Sequence, residues 1–229
     1  MYWNWGRSGV DHIKAVIFDL DNTILNRTMT FEGFTRSLIE TYFGHLESTE
    51  DILKRIIELD QDGYKDKRLL FKELLLELPW TEHPPHAELM EFYGKEYVRS
   101  AILMEQAREV VHHLRGKYLT GLITNGQTNI QYGKIDQLGI REDYDHIIVS
   151  EEAGVKKPDP RIFQLALDHF GLAPEQCIYV GDHPVNDIQG AASVGMSTIW
   201  MKVNQPWQDS ITSGPLHTIE HLSELKKLL

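Results

Sequence analysis

The feature that most constrains the fold of this chain is a set of short apolar runs in which apolar and polar residues do not alternate. Each run is rich in β-branched or aromatic side chains, which is typical of strands covered on both faces, as in a parallel sheet. We expect strands at residues 15–18, 119–123, 147–149, 178–180 and 198–201.

The segments between these runs have helical periodicity and end at glycine, the usual residue for a left-handed helix stop. We expect helices at residues 129–138, 160–170 and 186–194, which are followed by Gly139, Gly171 and Gly195. Strands that alternate with helices require right-handed crossover connections. The sequence therefore predicts an α/β fold with a doubly wound parallel sheet.

The segment after the first strand differs, because it contains helical periodicity and no convincing strand up to about residue 103. Its first apolar stripe comprises Phe31, Phe34, Leu38, Ile39 and Tyr42. We expect four helices here, forming an all-α module inserted over the carboxyl edge of the sheet. A helical insertion at that edge can close over a site and exclude water.

Polar side chains follow four of the predicted strands, and the carboxyl ends of parallel strands are where ligands bind in open α/β sheets. We expect these side chains to form one site; they are Asp19, Asp21, Thr124, Asn125, Lys157, Asp182 and Asp187. Asp19 and Asp21 are two residues apart, so on an extended segment both carboxylates project to the same side.

This set of side chains favours phosphoryl transfer. Converging carboxylates repel one another, so we expect a hard divalent cation among them, and the lack of a His/Cys cluster favours Mg²⁺. The hydroxyl, amide and ammonium groups suit the oxygens of a tetrahedral phosphate, since phosphoryl catalysis depends on positioning and charge neutralisation. A carboxylate can serve as the nucleophile and form an aspartyl-phosphate.

In their order and spacing, four segments together resemble the haloacid dehalogenase-like hydrolase superfamily, in its phosphatase branch with a helical cap after the first motif. They are residues 19–23 (DLDNT), 124–125 (TN), 157–160 (KPDP) and 181–187 (GDHPVND). The resemblance covers nearly the whole chain. It implies a Rossmann-like catalytic core from residues 1–24 and 105–229, with a helical cap domain at residues 25–104.

The resemblance implies that Asp19 is the nucleophile and that Asp21 is the general acid and base. Asp21 also bears on the reaction type. Halide leaves carbon without a proton, whereas an alkoxide that leaves phosphate needs one, so a general acid is useful only for phosphate esters. The dehalogenase branch lacks a carboxylate at this position, and we therefore favour a phosphatase over a 2-haloacid dehalogenase.

For the transferring phosphoryl group, the resemblance implies binding by Thr124 and Lys157, and the Asn125 amide is a further donor. The neighbouring Lys156 leaves an ambiguity about which lysine serves. We favour Lys157 because it stands directly before Pro158, as the family pattern requires.

The resemblance also implies a Mg²⁺ site. Its ligands are the Asp19 carboxylate, the backbone carbonyl of Asp21 and the Asp182 carboxylate. Asp187 supports the ion either directly or by holding one of its ligands; a carboxylate in the first turn of a helix is the simpler alternative for that residue.

Several other functions remain open at this level. A phosphomutase of the same fold would return phosphate to substrate rather than to water. A receiver-type phosphoacceptor also combines acidic residues, a hydroxyl and a lysine, but it is shorter and lacks the insertion. A non-catalytic member of the family would act through its cap or through Trp3 and Trp5 near the start of the chain.

The composition limits the binding partners and the cellular compartment that we expect. A net charge of −11 argues against a broad nucleic-acid or anionic-membrane surface. The single cysteine, Cys177, fits a reducing compartment, and no apolar run is long enough for a membrane helix, so we expect a cytoplasmic protein. The expected partner is a small phosphorylated metabolite, such as a nucleotide monophosphate, a sugar phosphate or phosphoglycolate, bound by a monomer or a dimer. Candidate cap contacts to it are Arg27, Tyr42, Trp80 and Tyr93.

Overall fold

A computed structural model describes residues 12–229 of the chain, so Trp3 and Trp5 lie outside the described residues. The described residues divide into two compact units. The sheet unit comprises the residues before Asn26 together with Leu103–Leu229, and the helical unit is Asn26–Ile102. These limits lie slightly inside the expected cap boundaries of 25 and 104.

Among the described residues, the sheet unit contains one parallel sheet of six strands in the order β3-β2-β1-β4-β5-β6. The strands are β1 (Ala15–Phe18), β2 (Leu119–Thr124), β3 (His146–Val149), β4 (Cys177–Gly181), β5 (Ser197–Met201) and β6 (His217–Ile219). Every predicted strand is present. The sequence did not predict β6, because this edge strand has three residues and only one of them is fully apolar.

The order of the strands creates a switch point between β1 and β4. From β1 the chain moves outward to β2 and β3 on one side, and from β4 it moves outward to β5 and β6 on the other. All residues of β1 and β4 are buried, as their uninterrupted apolar sequences predict. Open α/β sheets bind ligands at the carboxyl ends of the strands beside such a switch point.

In the described part of the chain, the helical unit contains four α-helices: α1 (Arg27–Phe43), α2 (Glu50–Asp60), α3 (Lys67–Glu77) and α4 (His86–Arg99). The first helix is capped by Asn26, whose side chain accepts a hydrogen bond from the backbone N–H of Met29 at 3.0 Å. Phe34 lies at the centre of the unit, with edge-to-face ring contacts to Phe71, Tyr93 and Tyr97. Aromatic packing therefore forms the core of this unit.

The four candidate cap contacts to substrate all have partners inside the helical unit. Arg27 pairs with the buried carboxylate of Asp60 at 2.5 Å. Trp80 is buried, and its indole N–H donates to the carbonyl of Leu74 at 2.8 Å. Tyr42 donates to Glu88 at 2.9 Å, and Tyr93 stacks on Tyr97. Trp80 is thus a core residue, which argues against its stacking on a substrate ring.

The helices of the sheet unit are α5 (Ala107–Arg115), α6 (Thr128–Gln137), α7 (Ser150–Ala153), α8 (Pro160–Phe170), α9 (Gly190–Ala192) and α10 (Leu225–Leu228). The range expected for α8 is confirmed, and Gly171 ends the helix in the left-handed conformation with φ of 63°. The helix expected at 186–194 is wrong in extent and type: a π-helix, Pro184–Gln189, precedes the short α9.

These elements confirm the expected fold class, an α/β protein with a doubly wound parallel sheet and an inserted all-α unit. As for membrane association, the helices in the described part of the chain are all too short or too polar to cross a bilayer.

A stacked pair of histidines at the edge of the sheet predicts that stability depends on pH. The rings of His146 in β3 and His169 in α8 lie 3.5 Å apart at an angle of 6°. Burial, and then the neighbouring His169, lower the pKa of His146. The unfolded chain therefore takes up a proton more readily than the folded chain, so the free energy of unfolding falls as the pH drops below about 6.5.

We expect His146→Phe to reduce this dependence, because the ring stack remains and the titrating nitrogen is lost. Urea unfolding at pH 7.5 and pH 5.5 measures the effect. The same substitution at the exposed His83 should leave the difference between the two pH values unchanged. An equal pH dependence in wild type and His146→Phe would contradict the prediction.

Candidate functional site

A tight turn after β1 places the first two candidate carboxylates. The backbone N–H groups of Ile24 and Leu25 both donate to the carbonyl of Leu20, at 2.9 and 2.8 Å. Asn22 has φ of 61°, a left-handed conformation that asparagine adopts more readily than most residues. The turn therefore reverses the chain directly after the strand. Its entry is fixed to β4, because the Asp19 N–H donates to the carbonyl of Val180 at 2.9 Å.

Three buried carboxylates converge beside the ends of β1 and β4. Each of Asp19, Asp182 and Asp187 offers one oxygen, and these oxygens all lie within 4.8 Å of one another. They are the only group of this kind found among the described residues. The sequence predicted Asp19 and Asp182 as metal ligands, and Asp187 as a ligand or a support for one. The fourth predicted ligand residue, Asp21, is absent from this carboxylate group; the role expected of it uses its backbone carbonyl.

Lys157 is buried beside two members of this group, Asp19 and Asp187. Its Nζ lies 2.6 Å from an oxygen of Asp19 and 2.6 Å from an oxygen of Asp187. It also donates to the hydroxyl of Tyr179 at 2.9 Å and to the carbonyl of Ile123 at 3.0 Å. A buried ammonium group is stable only when it is paired and hydrogen-bonded in this way. The lysine therefore partly neutralises the carboxylates around it.

Burial and the neighbouring charges have opposite effects on the pKa values of Lys157 and Asp19. Burial acts to lower the pKa of Lys157, but the carboxylates of Asp187 and Asp19 outweigh it and hold the pKa well above its ordinary value. Burial raises the pKa of Asp19 to about 7, against the lowering effect of Lys157; Asp187 and Asp21 add to the rise. Burial therefore makes Asp19 harder to ionise than a free carboxyl group, in spite of its contact with Lys157.

The loops after β2 and β3 are joined through Asn125. Its side-chain amide donates to the backbone carbonyl of Lys157 at 3.0 Å, and its side-chain oxygen accepts from the Lys157 N–H at 2.9 Å. Asn125, which the sequence suggested as a phosphate ligand, thus uses its side chain to hold the backbone of Lys157. The predicted Thr124 is buried at the end of β2, where its hydroxyl accepts a hydrogen bond from Gln131.

Asp21 has partners that the sequence analysis did not identify. The Nζ of Lys134 lies 2.6 and 2.7 Å from its two carboxylate oxygens, and the amide of Gln131 donates to one of them at 2.9 Å. Gln131 and Lys134 are three positions apart on α6, and both are buried. Their signal in the sequence is weak: two polar residues on the face of α6 that also buries Ile130 and Ile135.

Tyr179 is a second residue that the sequence analysis missed. It lies inside β4 with no exposed surface, where an apolar residue was expected. Its hydroxyl contacts Lys157 at 2.9 Å, and it lies 3.3 Å from an oxygen of Asp187. Burial, opposed by Lys157, raises the pKa of this phenol well above its ordinary value. Tyr179 is therefore a neutral hydrogen-bonding group beneath the carboxylates.

Asp187 is held at the start of the π-helix by the backbone around it. One of its oxygens accepts from the His183 N–H at 2.9 Å, and the other faces Lys157. The Nδ1 of His183 accepts from the N–H groups of Val185 and Asn186, each at 3.1 Å. The sequence left the role of His183 open; the structure makes it the N-cap of this helix.

The close approach of Asp187 to β4 makes Gly181 a sensitive position. A Cβ placed on Gly181 would lie 2.5 Å from Cγ of Asp187 and 2.6 Å from its Oδ2. We expect Gly181→Ala to displace Asp187 from Lys157 and to destabilise the protein by about 1–3 kcal/mol, the usual cost of overpacking.

Urea unfolding measures this change in stability. Gly214→Ala is a matched control, because nothing lies within 4 Å of the Cβ that it would add. Equal unfolding midpoints for the two variants would show that the site tolerates the methyl group, contrary to the prediction.

The residues of this site combine a group of buried carboxylates, a buried lysine, a hydroxyl and a further carboxylate, Asp21, with its own lysine. Such a site can bind a hard divalent cation through oxygen ligands, and it can neutralise a tetrahedral anion. A carboxylate among such groups can act as a nucleophile.

Known proteins are similar to this chain in sequence and in architecture. Over 197 residues the chain is 34% identical to the glyceraldehyde 3-phosphate phosphatase of Pyrococcus abyssi, covering 83% of this chain and 82% of that protein. It is 26% identical to the N-acylneuraminate-9-phosphatase of Mus musculus, with 96% and 95% covered. YfnB from Bacillus subtilis, a hydrolase crystallised with bound magnesium, superposes with a TM-score of 0.77 at 24% identity, with 95% and 98% covered.

The family resemblance seen in the sequence is confirmed by a match over most of the chain, because residues 13–195 fit the family model for haloacid dehalogenase-like hydrolases. Those residues include every side chain of the candidate site. The chain belongs to the haloacid dehalogenase-like hydrolase family.

Proposed function

We propose that this chain is a Mg²⁺-dependent phosphomonoesterase that hydrolyses a small phosphorylated metabolite through an aspartyl-phosphate on Asp19. The observation that carries the proposal is the arrangement of charge around Asp19. Asp19 and Asp187 share the buried Lys157, Asp21 pairs with the buried Lys134, and Asp182 lies close to Asp19 and Asp187. The carboxyl groups of the site therefore outnumber its ammonium groups, which favours a divalent cation among them.

The side chains present fit Mg²⁺. Asp19, Asp182 and Asp187 offer only oxygen donors, and the converging oxygens lie close enough to share one ion. Hard carboxylate oxygens without histidine or cysteine favour Mg²⁺ over softer metals. When bound, the ion would neutralise charge on the phosphoryl oxygens and orient them. We assign the Asp21 backbone carbonyl as a further ligand, and Asp187 as a direct ligand or a support.

The proposed reaction has two steps. An oxygen of Asp19 attacks phosphorus, the bond from phosphorus to the ester oxygen breaks, and Asp21 supplies the proton that the leaving oxygen needs. Asp21 then removes a proton from water, which attacks the phosphorus and releases inorganic phosphate from Asp19. Lys157 and Thr124 are assigned to the phosphoryl oxygens, where charge spreads during transfer.

Asp21 favours phosphate esters over organic halides as substrates. Its carboxylate has a fixed place in this site through Lys134 and Gln131, and a group held in this way suits proton transfer to a leaving alkoxide. A leaving halide would have no use for it. The fixed position of Asp21 therefore favours a phosphatase over a dehalogenase.

The substrate class is proposed from the relatives' names. One is named for glyceraldehyde 3-phosphate and the other for an N-acylneuraminate 9-phosphate, and both are small phosphorylated compounds. A small phosphometabolite is therefore the proposed substrate for this chain, while fold alone does not fix which one. A cytoplasmic location stays a prediction from the single cysteine.

Replacement of the nucleophile tests the reaction. We expect wild type to release phosphate from p-nitrophenyl phosphate only with Mg²⁺. Asp19→Asn should lower kcat by a factor on the order of 10³ or more, because the amide oxygen is a poor nucleophile. Asp209→Asn, at an exposed aspartate, should retain the wild-type rate. Near-normal turnover by Asp19→Asn would contradict the assignment, and return of the phosphate to the substrate rather than to water would favour a phosphomutase.

The metal assignment is tested separately by binding. We expect Mg²⁺ at a hundredfold excess over its Kd to stabilise wild type by about 2.7 kcal/mol, and Asp182→Asn to lose most of this stabilisation. Urea unfolding with Mg²⁺ or with EDTA measures it, and Asp209→Asn again serves as the control. Full Mg²⁺ stabilisation of Asp182→Asn would contradict a role for Asp182 as a ligand.

A further inference from the structure

Lys134 is an unusual residue for the face of a helix that packs on a sheet. It lies in the last turn of α6 and is 1% exposed, so its ammonium group is removed from solvent. A charge in such a place is costly unless it is paired. Its Nζ lies 2.6 Å from one oxygen of Asp21 and 2.7 Å from the other. The lysine thus holds the carboxylate by both oxygens.

Gln131 holds the same carboxylate from the preceding turn of α6. It is 2% exposed, and its Nε2 donates to Oδ2 of Asp21 at 2.9 Å and to the backbone carbonyl of Asn125 at 3.0 Å. It also donates to the hydroxyl of Thr124. One side-chain amide therefore connects the carboxylate that follows β1 with the hydroxyl at the end of β2.

The loop before α6 is shaped around this glutamine. Gly126 has φ of 148°, and a Cβ added to it would lie 2.9 Å from Cδ of Gln131. The Gly126 N–H donates to the hydroxyl of Ser150 at 3.0 Å, which fixes the loop on its other side. The glutamine therefore has a confined position against the backbone of this loop.

We propose that Lys134 and Gln131 are positioning residues of the reaction, which set the orientation of the Asp21 carboxylate and tie it to Thr124. The proposal rests on the proposed phosphatase function. The side chain of Asp21 is 25% exposed, whereas that of Lys134 is 2% exposed. Lys134 therefore contacts the Asp21 carboxylate from the protein interior, and the exposed part of that side chain can approach a leaving group.

The physical reason is orientation. A carboxyl group that is free to rotate spends only part of its time where it can give a proton to the leaving oxygen or take one from water, whereas one fixed by buried partners is ready to react. A purely structural role for Lys134 would affect folding and would slow every substrate alike. A positioning role instead affects most strongly the substrates that depend most on the proton.

Two aryl phosphates of similar shape separate these roles. The p-nitrophenolate of p-nitrophenyl phosphate is a stable anion that leaves without much help from an acid. The phenolate of phenyl phosphate is more basic, and its departure benefits more from a positioned proton donor. The value of kcat/KM reports the step in which the ester bond breaks, so the ratio of kcat/KM for the two esters reports the effectiveness of Asp21.

We expect Lys134→Met to raise the ratio of kcat/KM for p-nitrophenyl phosphate over phenyl phosphate by about tenfold, a part of the 10²–10⁴ that a positioned general acid contributes. Methionine retains the volume of the lysine stem, which protects folding. Lys134→Arg should restore the ratio towards that of wild type, because it supplies a cation that can bind both oxygens. Lys227→Met, at an exposed lysine of α10, should leave the ratio unchanged.

Gln131→Met provides a second test should Lys134→Met fold poorly, which circular dichroism and urea unfolding would reveal. We expect this variant to raise the ratio in the same direction. Gln137→Met is its matched control, because Gln137 is an exposed glutamine at the end of the same helix.

The outcomes distinguish this proposal from the function on which it rests. An active, Mg²⁺-dependent wild type whose folded Lys134 and Gln131 variants lose activity equally on both esters would overturn the positioning role and leave the phosphatase assignment intact. A wild type that hydrolyses neither ester, with or without Mg²⁺, would instead contradict the proposed function.

Discussion

The interaction on which the site depends is the contact of one buried ammonium group with two carboxylates. Lys157 lies 2.6 Å from both Asp19 and Asp187, which come from different strand ends. Without this cation, two negative charges would lie in a buried, weakly polarisable place, at a cost of several kcal/mol per unpaired ion. The lysine therefore allows carboxylates to be concentrated at one edge of the sheet.

The topology of the sheet explains why these groups meet. β1 lies between β2 and β4, so the residues that follow those three strands share one edge although they are far apart in sequence. Lys157 comes from outside these strands, and its backbone is held by both polar atoms of the Asn125 side chain. Asn125 thus holds the segment that carries Lys157 to Asp19, and the loops and strands of the site form one connected structure.

Much of this arrangement could be predicted from sequence, because buried parallel strands leave a strong local signal. Five apolar runs predicted five of the strands. The aspartates, Thr124 and Lys157 were predicted to form one site because they follow these strands and match the family motifs. What escaped prediction depends on packing between distant segments. β6 is too short to show a pattern, and the π-helix depends on contacts of Asp187 and His183 that no local periodicity records.

The buried polar residues behind the site were missed for the same reason. A tyrosine inside an apolar strand and a lysine within a helix both have common structural explanations. Only the structure shows that they belong to the site, because Tyr179 contacts Lys157 and Lys134 contacts Asp21. Strand ends are where a sequence shows candidate site residues, whereas Tyr179 lies within β4 and Lys134 within α6.

The two lysines also explain how two aspartates only two residues apart can differ in chemistry. Asp19 is buried and shares its cation with Asp187, whereas Asp21 is partly exposed and has Lys134 on both of its oxygens. Carboxylates acquire separate roles when their surroundings differ, as pairs of catalytic acids generally show. In this chain the difference is built into the fold: one lysine is delivered by a loop and the other by a helix. Neither lysine can replace the other without moving the element that carries it, so the different surroundings of Asp19 and Asp21 are fixed by the packing of those elements against the sheet.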